Sequence, residues 1–368
     1  MRRPSRSSMF VRLATQNRLV GYLRSAVARQ FKGVLQPVQQ ELGALRKQVR
    51  ALSNHMERLE TTLAGISEQA ARADRAAAQV KFTIRLNDKH RDTVAQLASV
   101  LDERRVIEHV QRAIAASPLE TDPYPHIVVQ DLLPHEFYKV LRDAIPPQPF
   151  FADRDPIKQN LKAQMDFGPT LSVRVLGFLE DVIARQAIRP AVVERFHEPL
   201  QQLYDTIFGP EFRDRANQLP QSASDGRLML RRPGYYLAPH RDPKRSMLTC
   251  LLYLAGPRDD EAYGTQIFRV ADDHEAAFTH TYYPEEHGSR CELVKMVPYR
   301  PNTMLVFLNS SGAHGATIPV DAPAGLERFT YQFYVGPGPD ALNALIEDLA
   351  PERRAMWQSR KASAQTSM

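Results

Sequence analysis

Cysteine and tryptophan are nearly missing from this chain, whose 368 residues include two cysteines and one tryptophan. Two cysteines are too few for a disulfide framework or a zinc ribbon. Cys250 lies inside the apolar run Met247–Leu254 and reads as a buried free thiol, which suits a reducing compartment. Long apolar runs are missing too. No window approaches the roughly 18 residues that a membrane span needs, and none near the start suits the apolar core of a secretory leader. The expectation is a cytoplasmic protein, neither secreted nor integral to a membrane. Acidic residues are absent from the first 40 positions, which hold eight basic ones: Arg2, Arg3, Arg6, Arg12, Arg18, Arg24, Arg29 and Lys32. The formal net charge of +6 is therefore local, because the remaining 40 basic residues are outnumbered by 42 acidic ones. From residue 116 onward there are 27 basic and 32 acidic residues, a balance that disfavours a nucleic-acid partner.

What the chain does have is 43% hydrophobic residues, enough for a sizeable core, so wholesale disorder is excluded. Residues 1–32 mix arginine with Phe10, Leu13, Leu19, Leu23 and Val27. That pattern fits a basic helix in peripheral contact with an anionic membrane surface, an organellar transit peptide or a solvated tail, and composition does not choose among them. From Pro37, a favourable first helical residue, apolar positions fall at Val38, Leu42, Leu45, Val49, Leu52, Met56, Leu59, Leu63 and Ile66. Their spacings alternate between four and three, which is a heptad seam, and the pattern predicts a parallel coiled coil over 37–86 that joins copies of the chain into a homo-oligomer.

A further helical pattern covers about 90–115 and leads to the Pro-rich hinge Ser117–His126. Short β-type runs begin at Ile127, helical patterns return around 171–187 and 190–208, and from about 226 to 336 many short β runs alternate with Pro, Gly and Asp. The last stretch predicts an all-β barrel or sandwich. A polar helix is expected from Asp340.

The residues that carry chemistry stand in this β region. His240 and Asp242 are two apart, so on an extended strand both side chains leave one face and can converge on one ion. With a second imidazole from elsewhere they make the two-histidine, one-carboxylate arrangement that holds a non-haem ferrous ion and leaves coordination positions open. His314 supplies that imidazole, at the end of the apolar strand Met304–Leu308 and a small-residue turn. Arg328 opens another alternating strand in which Thr330 shares its face, so a guanidinium and a hydroxyl can grip a carboxylate together.

In this ordered set (His-x-Asp after Gly234-Tyr235-Tyr236, Gly264-Thr265 before an apolar strand, His314, then Arg-x-Thr) the sequence resembles the 2-oxoglutarate- and Fe(II)-dependent dioxygenases, in particular their prolyl-4-hydroxylase-like group. The likeness covers about 122–336 and includes the stretch Asp122–Pro134. It implies a double-stranded β-helix, or jelly roll, with flanking helices. It implies Fe(II) on His240, Asp242 and His314, with no catalytic side chain beyond these three. It further implies 2-oxoglutarate as cosubstrate on Arg328 and Thr330, O2, and ascorbate as a candidate reductant. Tyr236 is a weaker candidate for lining the cosubstrate pocket, because periodicity alone does not separate it from Tyr235. The implied reaction is hydroxylation of an unactivated C–H bond, with release of succinate and CO2. Asp242 speaks against a halogenase, since halogenating members carry a small residue there.

The resulting layout is a basic tail (1–36), a coiled coil (37–86), a helical linker (87–121), a dioxygenase domain (122–338) and a C-terminal helix and tail (339–368). An insert rich in acidic residues and histidine (Asp272, Asp273, His274, His280, Glu285, Glu286, His287) reads as a solvated loop or substrate lid, because its spacing fits no standard ligand set. The alternative from another class is a non-catalytic assembly protein, whose coiled coil gathers partners and whose barrel is a silent binding module. The substrate, a small molecule or a protein, is not legible, and fold alone does not assign it.

Overall fold

The computed structural model describes residues 6–151, 155–275 and 277–358. The chain divides into two units, Met1–Arg75 and Ala76–Met368. The basic tail expected over 1–36 falls largely outside the described residues, since residues 1–5 and most side chains of 6–34 are not described.

The first unit is helical, being the larger part of α1 (Arg6–Lys89). The helix expected to open at Pro37 instead runs through it. Proline inside a helix forfeits one i to i−4 hydrogen bond and costs about 3 kcal/mol. The good helix formers that follow, Gln39 to Arg46, have the propensity to continue the helix beyond it. The predicted seam from Val38 to Ile66 lies along this helix with every one of its side chains 47–64% exposed.

In the second unit, the single helix expected over 90–115 is three pieces: Arg91–Ala95, Leu97–Val100 and Glu103–Ala116. The break before the last has a local cause, because Asp102 leaves the helical conformation and its carboxylate accepts the Arg105 N–H as an N-cap. This stretch is not a linker. Val106, Val110 and Ile114 line one helical face and are buried in the main core.

Eleven strands are found among the described residues: β1 (His126–Val129), β2 (Lys158–Lys162), β3 (Gln221–Ala223), β4 (Arg227–Arg231), β5 (Tyr236–His240), β6 (Leu248–Tyr253), β7 (Thr265–Ala271), β8 (Arg290–Val297), β9 (Thr303–Leu308), β10 (Ala313–Thr317) and β11 (Arg328–Pro337). They form an antiparallel sheet in the order β1-β9-β6-β11-β4-β2, with β3 on β11, and a smaller one in the order β5-β10-β7-β8. From β4 to β11 the chain passes between the two sheets in the connectivity of an eight-stranded jelly roll.

Strand β6 shows why the larger sheet is central. All six of its residues are buried, so it reads as an apolar run rather than an alternation. Leu248, Cys250 and Leu252 belong to the core shared with the helices Glu103–Ala116, Thr170–Phe178 and His197–Ile207. Leu251 and Tyr253 belong instead to a second cluster with Ile267 and Val297 of the smaller sheet. Helices therefore cover one face of the large sheet, and the other face, opposite the small sheet, is left for the site. The C-terminal segment is not wholly polar: its helix Pro339–Glu347 buries Leu342, Leu345 and Ile346, and Trp357 stacks on Phe208 at 5.3 Å. No helix among the described residues is long and apolar enough to cross a membrane.

Candidate metal centre

Strands β5 and β10 pair so that His240 and His314 stand directly opposite each other. Their ring centroids are 4.1 Å apart. Asp242 follows β5 directly, beyond Arg241, whose backbone pairs with that of Tyr282. The turn before His314 is tight for a steric reason: a Cβ on Gly312 would lie 1.7 Å from the Tyr124 ring, and the Tyr124 hydroxyl donates to the Ala313 carbonyl at 3.2 Å. One candidate ligand atom from each of His240, Asp242 and His314 lies within 4.8 Å of the others, and all three residues are buried. Among the described residues this is the one grouping of three such side chains whose ligand atoms converge.

The protonation chemistry favours a cation there. Burial pulls the His240 pKa below the ordinary histidine range against the opposing pull of the Asp242 carboxylate, and burial pulls His314 well below it. Both imidazoles are then neutral and have lone pairs to offer. His240 Nδ1 sits 2.9 Å from the Ala238 carbonyl, so that nitrogen carries the proton and Nε2 is the free donor. Thr249 Oγ1 donates to Asp242 Oδ2 at 2.8 Å and accepts from Asn309 Nδ2 at 3.0 Å, which fixes the carboxylate. Two neutral nitrogens and one anionic oxygen on one side of a cavity fit a divalent transition ion with open positions facing the cavity.

That cavity measures about 300 Å³, and Arg328 and Thr330 of β11 line it with the three candidate ligands. The Arg328 guanidinium lies over the Tyr253 and Tyr299 rings at 5.6 and 5.1 Å and donates to the Tyr263 carbonyl. No carboxylate pairs with it among the described residues, although only 4% of it is exposed. Thr330 is wholly buried and its hydroxyl has no partner. A buried cation and an orphaned hydroxyl on one strand face are what an absent carboxylate would satisfy.

Tyr236 is not in this site. It is 65% exposed, and Tyr235 lines the cavity instead. The pairing of β5 with β10 shifts by one residue between the His240/His314 and Leu237/Ala316 pairs. That bulge, at Ala238-Pro239, inserts an extra residue and reverses which alternate positions face inward.

Sequence reasoning also missed several functional candidates. Tyr283, in the insert, stacks on His240 at 5.7 Å and lines the cavity, so part of the insert is a wall rather than a solvated loop. Asp273 and Glu275 of the same insert hold the buried Arg241, at 2.7 and 2.5 Å, and Glu275 also holds the buried Lys244 at 3.0 Å. Lys158, Arg227 and Arg231 line the cavity as well. Strand β2 reads as a polar segment and β4 as an apolar run between two arginines, and a signal for their convergence exists only once β2, β4 and β11 are placed side by side.

No family model matches the sequence, and no curated protein matches it. Among solved structures the chain is similar to a Pseudomonas putida prolyl-4-hydroxylase, at 16% identity over 63% of this chain and 99% of that one, with a TM-score of 0.34. It is also similar to an oxidoreductase of the 2OG-Fe(II) oxygenase family from Burkholderia pseudomallei, at 10% identity over 57% of this chain and 84% of that one (TM-score 0.32). A third is HygX from Streptomyces hygroscopicus, solved with nickel, 2-oxoglutarate and hygromycin B, at 14% identity over 58% of this chain and 83% of that one (TM-score 0.32). At these scores the function has to be read from the site.

Proposed function

We propose that the chain is an Fe(II)- and 2-oxoglutarate-dependent dioxygenase that hydroxylates a C–H bond of an organic substrate. The observation that carries this reading is the convergence of His240, Asp242 and His314 in one cavity with the Arg328 guanidinium, which has no carboxylate partner among the described residues, and the orphaned hydroxyl of Thr330. His240 Nε2, an Asp242 oxygen and a His314 nitrogen would hold the ion. Bound there, ferrous iron supplies the oxygen chemistry that couples decarboxylation of the keto acid to insertion of one oxygen atom into C–H; O2, 2-oxoglutarate and substrate become hydroxylated substrate, succinate and CO2.

The protein's own residues bind and orient. Arg328 forms a bidentate, charge-assisted pair with the distal carboxylate of 2-oxoglutarate, and Thr330 Oγ1 donates to the same group. Tyr253 and Tyr299 pack against the guanidinium and hold it in place. Tyr283 and Tyr235 narrow the cavity and limit water at the reacting end. Ascorbate would serve as reductant, returning to the ferrous state any iron oxidised without turnover.

Succinate release from 2-oxoglutarate, measured with and without added Fe(II), tests the proposal. Turnover that requires iron and is lost in His240→Ala and Arg328→Ala supports it. Purified protein that binds neither stoichiometric iron nor 2-oxoglutarate would establish the silent binding module instead.

A second role rests on the first unit alone. The seam from Val38 to Ile66 leaves about half or more of every apolar side chain in water, and its 3.5-residue period matches only another helix supercoiled with the same repeat. We propose that a second copy of α1 covers it, in parallel register, so that the oxygenase works as a homo-oligomer.

A further inference from the structure

The large sheet carries more positive charge toward the cavity than one keto acid can use. Lys158 of β2 pairs in register with Arg231 of β4, and Arg231 pairs in register with Arg328 of β11, so three cations stand side by side across three adjacent strands. All three line the same cavity, as does Arg227, two turns of the pleat along β4 from Arg231. Like charges directly opposite in a ladder repel, and the cost rises where water is excluded. Among the described residues no carboxylate pairs with any of the four, and the one acidic side chain lining the cavity is Asp242, a candidate metal ligand.

Arg231 is the most constrained of them. It is 97% buried, its Nη1 donates to the Gln159 carbonyl at 2.8 Å and to Asn160 Oδ1 at 3.0 Å, and its guanidinium lies 5.0 Å over the Tyr235 ring. Its Nε has no partner. Burial first, and then the neighbouring charges of Arg328 and Arg227, pull its pKa down. On the proposed reading, the distal carboxylate of 2-oxoglutarate occupies Arg328, and the keto-acid end faces the metal ligands. A single carboxylate fills one guanidinium fork. With adjacent strands about 4.8 Å apart, the row spans roughly 10 Å from β2 to β11, which leaves Arg231 and Lys158 without an anion.

We propose that these two cations form a second anion subsite beside the cosubstrate, and that the substrate is recognised through an oxyanion, a carboxylate or a phosphate. This rests on the dioxygenase reading of the site. Arg231 sits at the inner end of the subsite, and the exposed Lys158 sits at its outer end. The hydroxylated carbon then belongs to a molecule whose anionic group is tethered to the large sheet while its C–H bond faces the small sheet.

The test uses full-length protein loaded with Mn(II) and saturated with 2-oxoglutarate, titrated calorimetrically with sodium sulfate and, separately, sodium acetate at constant ionic strength. Sulfate stands for a phosphate and acetate for a carboxylate, and the tighter of the two identifies the group. The expected result is one equivalent of anion bound in the presence of 2-oxoglutarate. Affinity for that anion should fall at least tenfold in Lys158→Ala, while 2-oxoglutarate affinity stays within about twofold. Arg328→Ala should do the reverse. If 2-oxoglutarate displaces the anion, if neither anion binds, or if Lys158→Ala leaves anion affinity unchanged, the second subsite does not exist. Failure of Mn(II) or 2-oxoglutarate to bind at all would instead strike at the dioxygenase reading, and the two failures are read in separate titrations.

Discussion

Thr249→Val tests whether the candidate metal centre is held by its surroundings or merely by its three candidate ligands. Thr249 is wholly buried on β6, and its hydroxyl is the link between Asp242 and Asn309. Valine keeps the volume and the β-branched shape, so packing and strand propensity are preserved, and only the hydroxyl is removed. Two consequences follow. The Asp242 carboxylate loses a hydrogen bond to a charged group, worth about 1.5–3 kcal/mol, and Asn309 Nδ2 loses one of its two acceptors, keeping the Ser246 carbonyl. In metal-free protein the variant should therefore be less stable by roughly 1.5–3 kcal/mol. Freed to rotate, the carboxylate must also be ordered when the ion binds. Loss of such a supporting hydrogen bond costs about 10- to 100-fold in metal affinity, or roughly 1.4–2.7 kcal/mol. Calorimetric titration of metal-free protein with Mn(II), beside a denaturant melt of the same samples, measures both quantities. Mn(II) affinity within twofold of the parent, in a variant whose melt shows the expected destabilisation, would refute the idea that Thr249 positions the ligand.

Three further outcomes are expected. Glu275→Gln leaves the buried Lys244 with a neutral partner, while Arg241 keeps Asp273; breaking a buried ion pair costs about 3–5 kcal/mol, so thermal melting should shift down by several degrees, and an unchanged melt would mean the clamp carries no stability. His126 is wholly buried, and burial lowers its pKa despite the nearby Glu120. The folded state then holds fewer protons than the unfolded one, so stability is complete above about pH 6.5 and declines as pH falls below it, by at most about 1.4 kcal/mol per pH unit from this residue. His126→Gln should flatten that slope in urea melts between pH 7 and 5, and an unaltered slope would assign it elsewhere. In the first unit, the triple variant Leu45→Lys, Leu52→Lys, Leu59→Lys places charges at one heptad position; each forfeits roughly 1.5–3 kcal/mol of apolar burial, so light scattering should report an oligomer for the parent and a monomer for the variant. A monomeric parent would end the coiled-coil proposal.

Which parts of the site were legible in the sequence follows from how far each signal reaches. His240 and Asp242 are two apart and Arg328 and Thr330 are two apart again, so each pair's common face needs only local strand geometry, while His314 follows an apolar strand and a small-residue turn. Tyr236 failed for the same reason that these succeeded. Strict alternation holds until a bulge intervenes, and a Pro inside the run, here Pro239, is the one local sign of it. Arg241 looked like an ordinary charge between two ligands, because Asp273 and Glu275, which bury it, lie more than 30 residues away. Lys158 and Arg231 were illegible altogether. The stretch Lys158–Lys162 has no apolar alternation, and its register against β4 is set by the sheet, not by anything local. Pro37 misled in the opposite direction, since a favourable helix start is also a tolerable helix interior when strong helix formers continue beyond it.

Both ends of the cavity lean on one strand. The interior face of β6 presents Thr249 to Asp242 at one end and Tyr253 beneath Arg328 at the other, with Leu251 lining the cavity between them. At about 3.3 Å per residue these two supports stand roughly 13 Å apart on a strand buried on both faces, so their separation is fixed by the core rather than by the site. The same rigidity makes the two ends separable by substitution. Thr249→Val disturbs only the metal end, and Tyr253→Leu, which removes the ring under the guanidinium, should disturb only the anion end. If the pocket is a single span set by β6, Mn(II) affinity falls in the first and 2-oxoglutarate affinity, measured at saturating Mn(II), falls in the second. Loss of both affinities in either variant would mean that the strand shifts as a whole, and that the span is set by the ligands and not by the fold.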